Sequence, residues 1–572
     1  MNRLRGMESC FLTIILILGI ISLICLSIAT TVLSFIRYPA ANGPMLTVDR
    51  MIPVCIGLVA WLAAMCILTR IGRVPDHRVT AKIALLVGTL LSVLWVFISA
   101  SGPVFDSLAL SCSALVMTNP QNRPSLGQEW IDVGKSDWGI GWDAGTTHNA
   151  YMGRFPFQVP YMLVLYACQQ LAGENFAILA QLINAVSNGA CFYLLCRIAY
   201  ELTENDFVAF LTLGLALAFS PIVIYAAFIY GNLIAIPLIL GAWLLSLKCG
   251  KQSEELGKKK KFFILLLASI LVCVSILIKS TMNVFAIAFA IMVILHAIQK
   301  RVWLLLPVAF VPILLSSVLL ESMVVPLETR MGTDMHNAIP KLTWIVMGIG
   351  GGREYEAEKD GNAISPDDLV WPGYCDSYVW RSPAEEGFDS WNELNSYALK
   401  LRLQRFASDP GYMLAFFARK LAIEWTEPTV ECFTMSNWEG VEKGAFYSRY
   451  ADEYRNFTRL GKTLYYGKAN AILCYLSDLA QSLIAIGSLA WCLRAHKNHN
   501  GTNPWQLMSL LYVLGGALLY IFWENKSQYT LQYWVFLIPY SASGLHILSR
   551  YASEVFNKRV GSKMIALKHR ND

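Results

Sequence analysis

The chain alternates long apolar runs with short polar breaks, and the runs set its architecture. Crossing about 30 Å of hydrocarbon takes roughly 20 mostly apolar residues in a helix. Runs of that order cover residues 11–36, 51–69, 83–101, 175–198, 207–227, 232–247, 262–278, 282–298, 302–320, 469–493, 506–522 and 529–548. They predict an all-α polytopic membrane protein, a bundle of about twelve transmembrane helices. The first run, about 26 residues, exceeds the 7–15 of a signal-peptide core and lacks a convincing small-residue cleavage site. It is expected to remain as a membrane helix.

Composition agrees. Of the 572 residues 55% are hydrophobic and only 15% charged, against roughly 25% charged in soluble domains. The formal net charge of +6 is small for this length and argues against nucleic acid as a partner, whose binders concentrate basic faces. The basic residues instead cluster between apolar runs, as in cytoplasmic loops. With both termini inside, such clusters are Arg70, Arg73, Arg78 and Lys82, then Lys258 to Lys261, then Lys300 and Arg301, then Arg494 and Lys497. The tail adds Lys558, Arg559, Lys563, Lys568 and Arg570. Only residues 197–206 fail to support the scheme, with Arg197 set against Glu201, Glu204 and Asp206.

The apolar segment 157–172 must then stay out of the count, because a further span would put the lysine cluster outside. It is expected as a helix in the outer interface. Two large outer regions follow, residues 102–174 and 321–468, the second ending in closing helices and a basic tail, residues 469–572.

Most of the 14 cysteines fall inside apolar runs and read as small core hydrophobes. Cys112, Cys375 and Cys432 fall in outer segments, where two of them could form a bridge, but no spacing fixes a partner. No C-x-x-C or H-E-x-x-H pattern occurs, so no zinc site is expected.

The candidate chemistry gathers on the outer side. Asp106 stands just past the run 83–101, and an ionisable group beside a span is a functional hypothesis by default; the alternative is a cap on a helix over residues 107–117. The first outer loop is acidic and aromatic, with Glu129, Asp132, Asp137 and Asp143 among Trp130, Trp138 and Trp142. Arg154, in the segment from Tyr151 to Gln158, sits at headgroup depth, where a guanidinium can pair bidentately with phosphate or simply snorkel. Lys279 falls at an outer turn between spans, where positive charge is disfavoured, so it calls for an anion. A short outer loop from Trp523 to Tyr529 concentrates Glu524, Lys526, Asn525 and Gln528. That loop either just meets water or clamps a sugar phosphate.

In the second outer region, the glycine run from Gly348 to Gly352 lacks a following Lys-Ser/Thr and reads as a flexible turn, not a phosphate loop. Residues 409–425, carrying Arg419 and Lys420, are expected as an amphipathic helix on the outer leaflet. Sequons at Asn456 and Asn525 carry meaning only in a eukaryotic source.

Together these pieces resemble the class C (GT-C) glycosyltransferases, polytopic enzymes using polyprenyl-phosphate-linked sugars. Protein O-mannosyltransferases, aminoarabinose transferases and bacterial cell-envelope enzymes of the glycosyltransferase family 39 kind belong to this group. The resemblance rests on Asp106 opening the first outer loop, the segment Tyr151 to Gly173, the turn at Lys279 and the loop around Lys526, in that order over roughly residues 80–550. Residues 1–80 then stand as a two-helix extension to a core over residues 81–320. The sequence departs at Ser280, where proline is common, at Gln528, where arginine is common, and at Ser107, which removes the Asp-Glu pair of some mannosyltransferases.

The resemblance implies inverting transfer of a monosaccharide from a polyprenyl-phosphate donor to an extracytoplasmic glycan, lipid or protein at a cell membrane. It implies Asp106 as general base, with Tyr151, Arg154, Gln158, Lys279, Glu524, Lys526, Gln528 and Tyr529 holding the donor's phosphate and sugar. No cofactor or metal is expected. The alternatives are a transporter or flippase for lipid-linked saccharides, against which no inverted repeat is visible, and a polysaccharide polymerase or ligase.

Overall fold

The computed structural model describes residues 2–36, 45–49, 51–71, 73–103, 106–118, 148–251, 257–331, 334–336, 338–350, 353–355, 357, 361, 369–375, 378–379, 381–436, 459–466, 468–498 and 503–571. The residues Glu129 to Asp143 of the first outer loop, Gly351, Gly352 and the sequon at Asn456 lie outside them.

The described residues are helical almost throughout, because in lipid a spanning segment must satisfy its backbone polar groups internally. The first part comprises α1 (Asn2–Val32), β1 (Leu33–Ile36), β2 (Met45–Val48), α2 (Met51–Ile71), α3 (His77–Ser99), α4 (Asp106–Thr118) and α5 (His148–Arg154). Then come α6 (Val159–Ala172), α7 (Phe176–Thr203), α8 (Asp206–Ala218), α9 (Pro221–Ile224), α10 (Asn232–Lys251), α11 (Lys258–Ile278), α12 (Asn283–Lys300) and α13 (Leu306–Met331). Residues 321–468 add α14 (Leu342–Gly348), α15 (Trp391–Ser408), α16 (Pro410–Thr426), α17 (Cys432–Ser436) and α18 (Arg459–Tyr466). The last helices are α19 (Lys468–Lys497), α20 (Met508–Phe522) and α21 (Leu531–Asn571).

Ten described helical stretches are long and apolar enough to cross a membrane, and the pair Asp206–Ala218 and Pro221–Ala227, bent by 63°, makes an eleventh. The expected run 529–548 is helical, as the first half of α21, but does not reach that apolarity. The reason is its position. It packs against α19, α8, α7 and α20, and Gln532, Tyr533, Trp534, Tyr540, Ser541 and Ser543 are all buried there. A helix enclosed by protein can carry polar groups that find partners: Ser541 Oγ donates to Leu483 O at 2.9 Å.

Residues 157–172 are a helix as expected, but one joined to a span. With α7 they form a single apolar stretch, Pro156–Thr203, of 48 residues, interrupted by the 3-10 turn Gly173–Asn175. At about 1.5 Å per residue it is more than twice as long as the hydrocarbon is thick. Among the described residues the strands are those of the antiparallel hairpin β1–β2, with Leu33 opposite Val48 and Ile36 opposite Met45. Its Phe35 packs with Trp371 and Ile423, tying the end of the first apolar run to the segment that carries α16.

The described residues of 321–468 are packed more tightly than their sequence suggests. α16 packs one face against protein. It contacts α1, β1, α15 and α20, and Lys420 is fully buried. Its Nζ donates to Gly348 O at 2.5 Å, Trp523 O at 2.5 Å and Ile521 O at 3.0 Å. Nor is Gly348 part of a flexible turn: a Cβ there would stand 2.2 Å from Phe522 O, so only glycine lets the two backbones meet. Buried Arg402 donates to Glu354 at 2.7 Å and to Tyr412 Oη at 3.0 Å. Asn525 is buried, which removes its sequon as a glycan acceptor. No disulfide joins Cys112, Cys375 or Cys432.

Candidate functional site

Asp106 is the first residue of α4 and is half-buried. The segment leading to it is held by α7, whose Gln181 Nε2 donates to Ser101 O and to Ala227 O, both at 2.8 Å. One turn on, Asn184 Nδ2 donates to Phe228 O at 2.8 Å. Two amides on one helix face therefore draw together the approach to Asp106 and the break after α9, which carries Tyr230. The next residue, Gly231, brings that break against the end of α11, for a Cβ there would stand 2.4 Å from Ile278 O. Tyr230 consequently lies under Lys279, with Nζ 4.0 Å from the ring centroid.

A chain of hydroxyls runs from this point to the carboxylate. Tyr151 hydrogen-bonds both Asp106 and Tyr230, and Gln158 Nε2 donates to Tyr230 Oη. Each phenol has one proton, and a carboxylate only accepts. Tyr151 therefore donates to Asp106, Tyr230 donates to Tyr151, and Gln158 completes the chain. Burial first, then the negative charge of Asp106, pushes the Tyr151 phenol well above its ordinary range, so it stays a donor at neutral pH.

The charges around this chain are mixed. Lys279 is buried. Burial pushes its ammonium down to about 7, with Asp106 opposing the shift and Lys526 adding to it. Lys526 thus acts on the same space from the late loop. Its Nζ lies 3.4 Å from Glu524 Oε1 and 5.6 Å from the centroid of Tyr374, and Tyr529 Oη donates to Glu524 Oε2 at 3.1 Å.

The late loop is fixed from behind. Asn525 N–H donates to Gly373 O at 2.9 Å and its Nδ2 to Pro372 O at 2.8 Å. Ser527 donates to Glu431 Oε1 through its backbone N–H at 3.0 Å and its Oγ at 3.1 Å. Lys420 holds Trp523 O; burial pushes its ammonium down to about 7, opposed by Glu424 and Glu524.

Asp106, Tyr151, Gln158, Lys279, Lys526, Glu524 and Tyr529 thus form one connected set. Arg154 turns toward residues 379–385: its Nη1 donates to Val379 O at 3.3 Å and its charge faces Glu385. Gln528 is buried in the 3-10 turn Ser527–Thr530. Sequence reasoning missed Tyr230 and Tyr374. The first stands at the edge of an apolar run and the second in an aromatic-rich loop, where tyrosines are ordinary interface residues.

The set can do two things chemically. A carboxylate next to a phenol donor can accept a proton from a hydroxyl placed within reach. Two ammonium groups beside it can hold an anion. Among the described residues, groups with metal-ligand spacing are Asp76, His77 and Asp206, and Glu328, Asp334 and His336; neither includes Asp106.

No protein-family model matches this chain, and no curated protein matches it. Among solved structures it is similar to the archaeal oligosaccharyltransferase AglB from Archaeoglobus fulgidus in complex with an inhibitory peptide and a dolichol-phosphate, at 11% identity and a TM-score of 0.36. The similarity covers 84% of this chain and 52% of that one, so the chain spans about half the length of that protein.

Proposed function

We propose that the protein is a membrane glycosyltransferase of the class C kind, moving a monosaccharide from a polyprenyl-phosphate donor to an extracytoplasmic glycan, lipid or protein. The observation that carries this reading is the junction of Asp106 with Lys279 and Lys526 through Tyr151 and Tyr230.

In this reaction an acceptor hydroxyl attacks the anomeric carbon from the face opposite the phosphate, and Asp106 takes its proton. The bond from that carbon to the phosphate oxygen breaks, and its electron pair leaves with the polyprenyl phosphate. The configuration inverts. The donor is a phosphodiester with a single negative charge. The product is a monoester whose charge approaches −2 at neutral pH. Two ammonium groups match the charge that develops, and their burial strengthens the attraction.

The basic clusters between spans favour cytoplasmic termini and an outward-facing site in a cell membrane. The test uses purified protein in nanodiscs, a radiolabelled polyprenyl-phosphate monosaccharide and an envelope extract as acceptor. Release of polyprenyl phosphate with label in the extract supports transfer. Movement of intact donor across a vesicle membrane without release assigns the protein to the transporters.

A further inference from the structure

Tyr230 was not expected as a site residue, yet it touches both halves of the site. Its hydroxyl accepts from Gln158 Nε2 and is bonded to Tyr151, which holds Asp106. Its ring face lies 4.0 Å from Lys279 Nζ, the distance at which a ring quadrupole attracts a cation. The ring is itself fixed. Phe228 stacks on it at 5.1 Å and Tyr161 meets it edge-on at 5.9 Å, while Gly231 holds its backbone against Ile278. A side chain confined on three sides, with its edge toward a carboxylate and its face toward an ammonium, sets how far apart those groups stand.

We infer that Tyr230 is a positioning residue of the transfer reaction: its hydroxyl aims the Asp106 carboxylate through Tyr151, and its ring holds Lys279 at the donor phosphate. This rests on the transferase reading given above. The two functions use different atoms of one residue, so they separate by substitution. Tyr230→Phe keeps the ring and loses the proton donated to Tyr151. Tyr230→Leu loses both.

With the purified full chain in nanodiscs and a polyprenyl-phosphate monosaccharide, kcat, donor KM and the pH profile of kcat are measured for wild type and both variants. General-base catalysis contributes about 100- to 10,000-fold, and loss of aim forfeits part of it. Tyr230→Phe is expected to lower kcat about tenfold and to shift the acidic limb of the pH profile, with donor KM unchanged. Tyr230→Leu is expected to raise donor KM several-fold as well. Wild-type kcat and pH profile in Tyr230→Phe would overturn the inference. So would equal losses in both variants, with unshifted profiles and donor KM, that follow only the folded fraction, since packing alone gives that pattern. If wild type itself shows no turnover, the transferase reading fails and the inference with it. Active wild type with an unaltered Tyr230→Phe sinks the inference alone.

Discussion

The ammonium of Lys279 lies over the ring of Tyr230, 4.0 Å from its centroid, in a position where burial opposes its charge. Water is withdrawn from the cation, while the ring face and Asp106 return part of the lost stabilisation. An arriving phosphate would return the rest. A buried ammonium poised in this way binds anions more strongly than a solvated one, because its attraction acts at low dielectric.

That balance predicts opposite pH trends for binding and stability. With the Lys279 ammonium near 7, donor affinity should fall as pH rises through that value, since the diester phosphate keeps its charge throughout. The folded value lies below the 10.5 of an ordinary lysine, so between the two the unfolded chain binds more protons and stability rises with pH. Lys279→Met should flatten the binding trend and remove Lys279's share of the stability trend, while Lys420, also pushed down to about 7, keeps its own. Lys279→Arg stays charged in the folded and the unfolded chain at every pH, so it too should remove both contributions, but with donor affinity held at its low-pH level throughout. Donor titrations and thermal melts between pH 6 and pH 10 check this.

Gly231→Ala tests how the site is assembled. The new methyl would stand 2.4 Å from Ile278 O, so the break carrying Tyr230 must move off α11. Overpacking of this kind costs about 1–3 kcal/mol. A lower melting temperature is expected, together with donor affinity reduced several-fold by loss of the Tyr230–Lys279 contact. Unchanged affinity would show that the contact does not matter to the donor.

Lys420→Met tests the support behind the late loop. It leaves Gly348 O, Ile521 O and Trp523 O without the ammonium they share. An unsatisfied buried acceptor costs about 1–3 kcal/mol, so a large drop in melting temperature is expected. Donor affinity should fall too, because Lys526 loses its fixed loop. Affinity unchanged in the folded fraction would separate Lys420 from the site.

The spans were legible because lipid imposes one simple rule, length with apolarity, which shows in a single sequence. The rule fails where protein replaces lipid. Residues 529–548 sit inside the bundle, where Gln532 and Ser541 are enclosed by protein rather than hydrocarbon, so a helix of the bundle falls short there of the apolarity the rule asks for. Lys420 shows the same limit in reverse: a lysine reads as a solvated charge, but three carbonyls from distant segments surround it. Asp106, Lys279 and Lys526 were readable as charges at span edges. Tyr230 was not, because its place depends on Gln181 and Asn184 of another helix drawing two breaks together. Arg154 was read as a phosphate ligand from its depth and from the resemblance of its segment, neither of which could show that its side chain reaches Val379 O.

The most direct measurement compares wild type with Asp106→Asn for release of polyprenyl phosphate from a polyprenyl-phosphate monosaccharide, with donor binding measured on the same samples. Removing a general base costs about 100- to 10,000-fold in rate, whereas the Lys279 and Lys526 ammonium groups stay in place. The expected result is release lowered at least about 100-fold with donor affinity within a few-fold of wild type. Asp106→Asn releasing polyprenyl phosphate at the wild-type rate would contradict the assignment of Asp106 as the base.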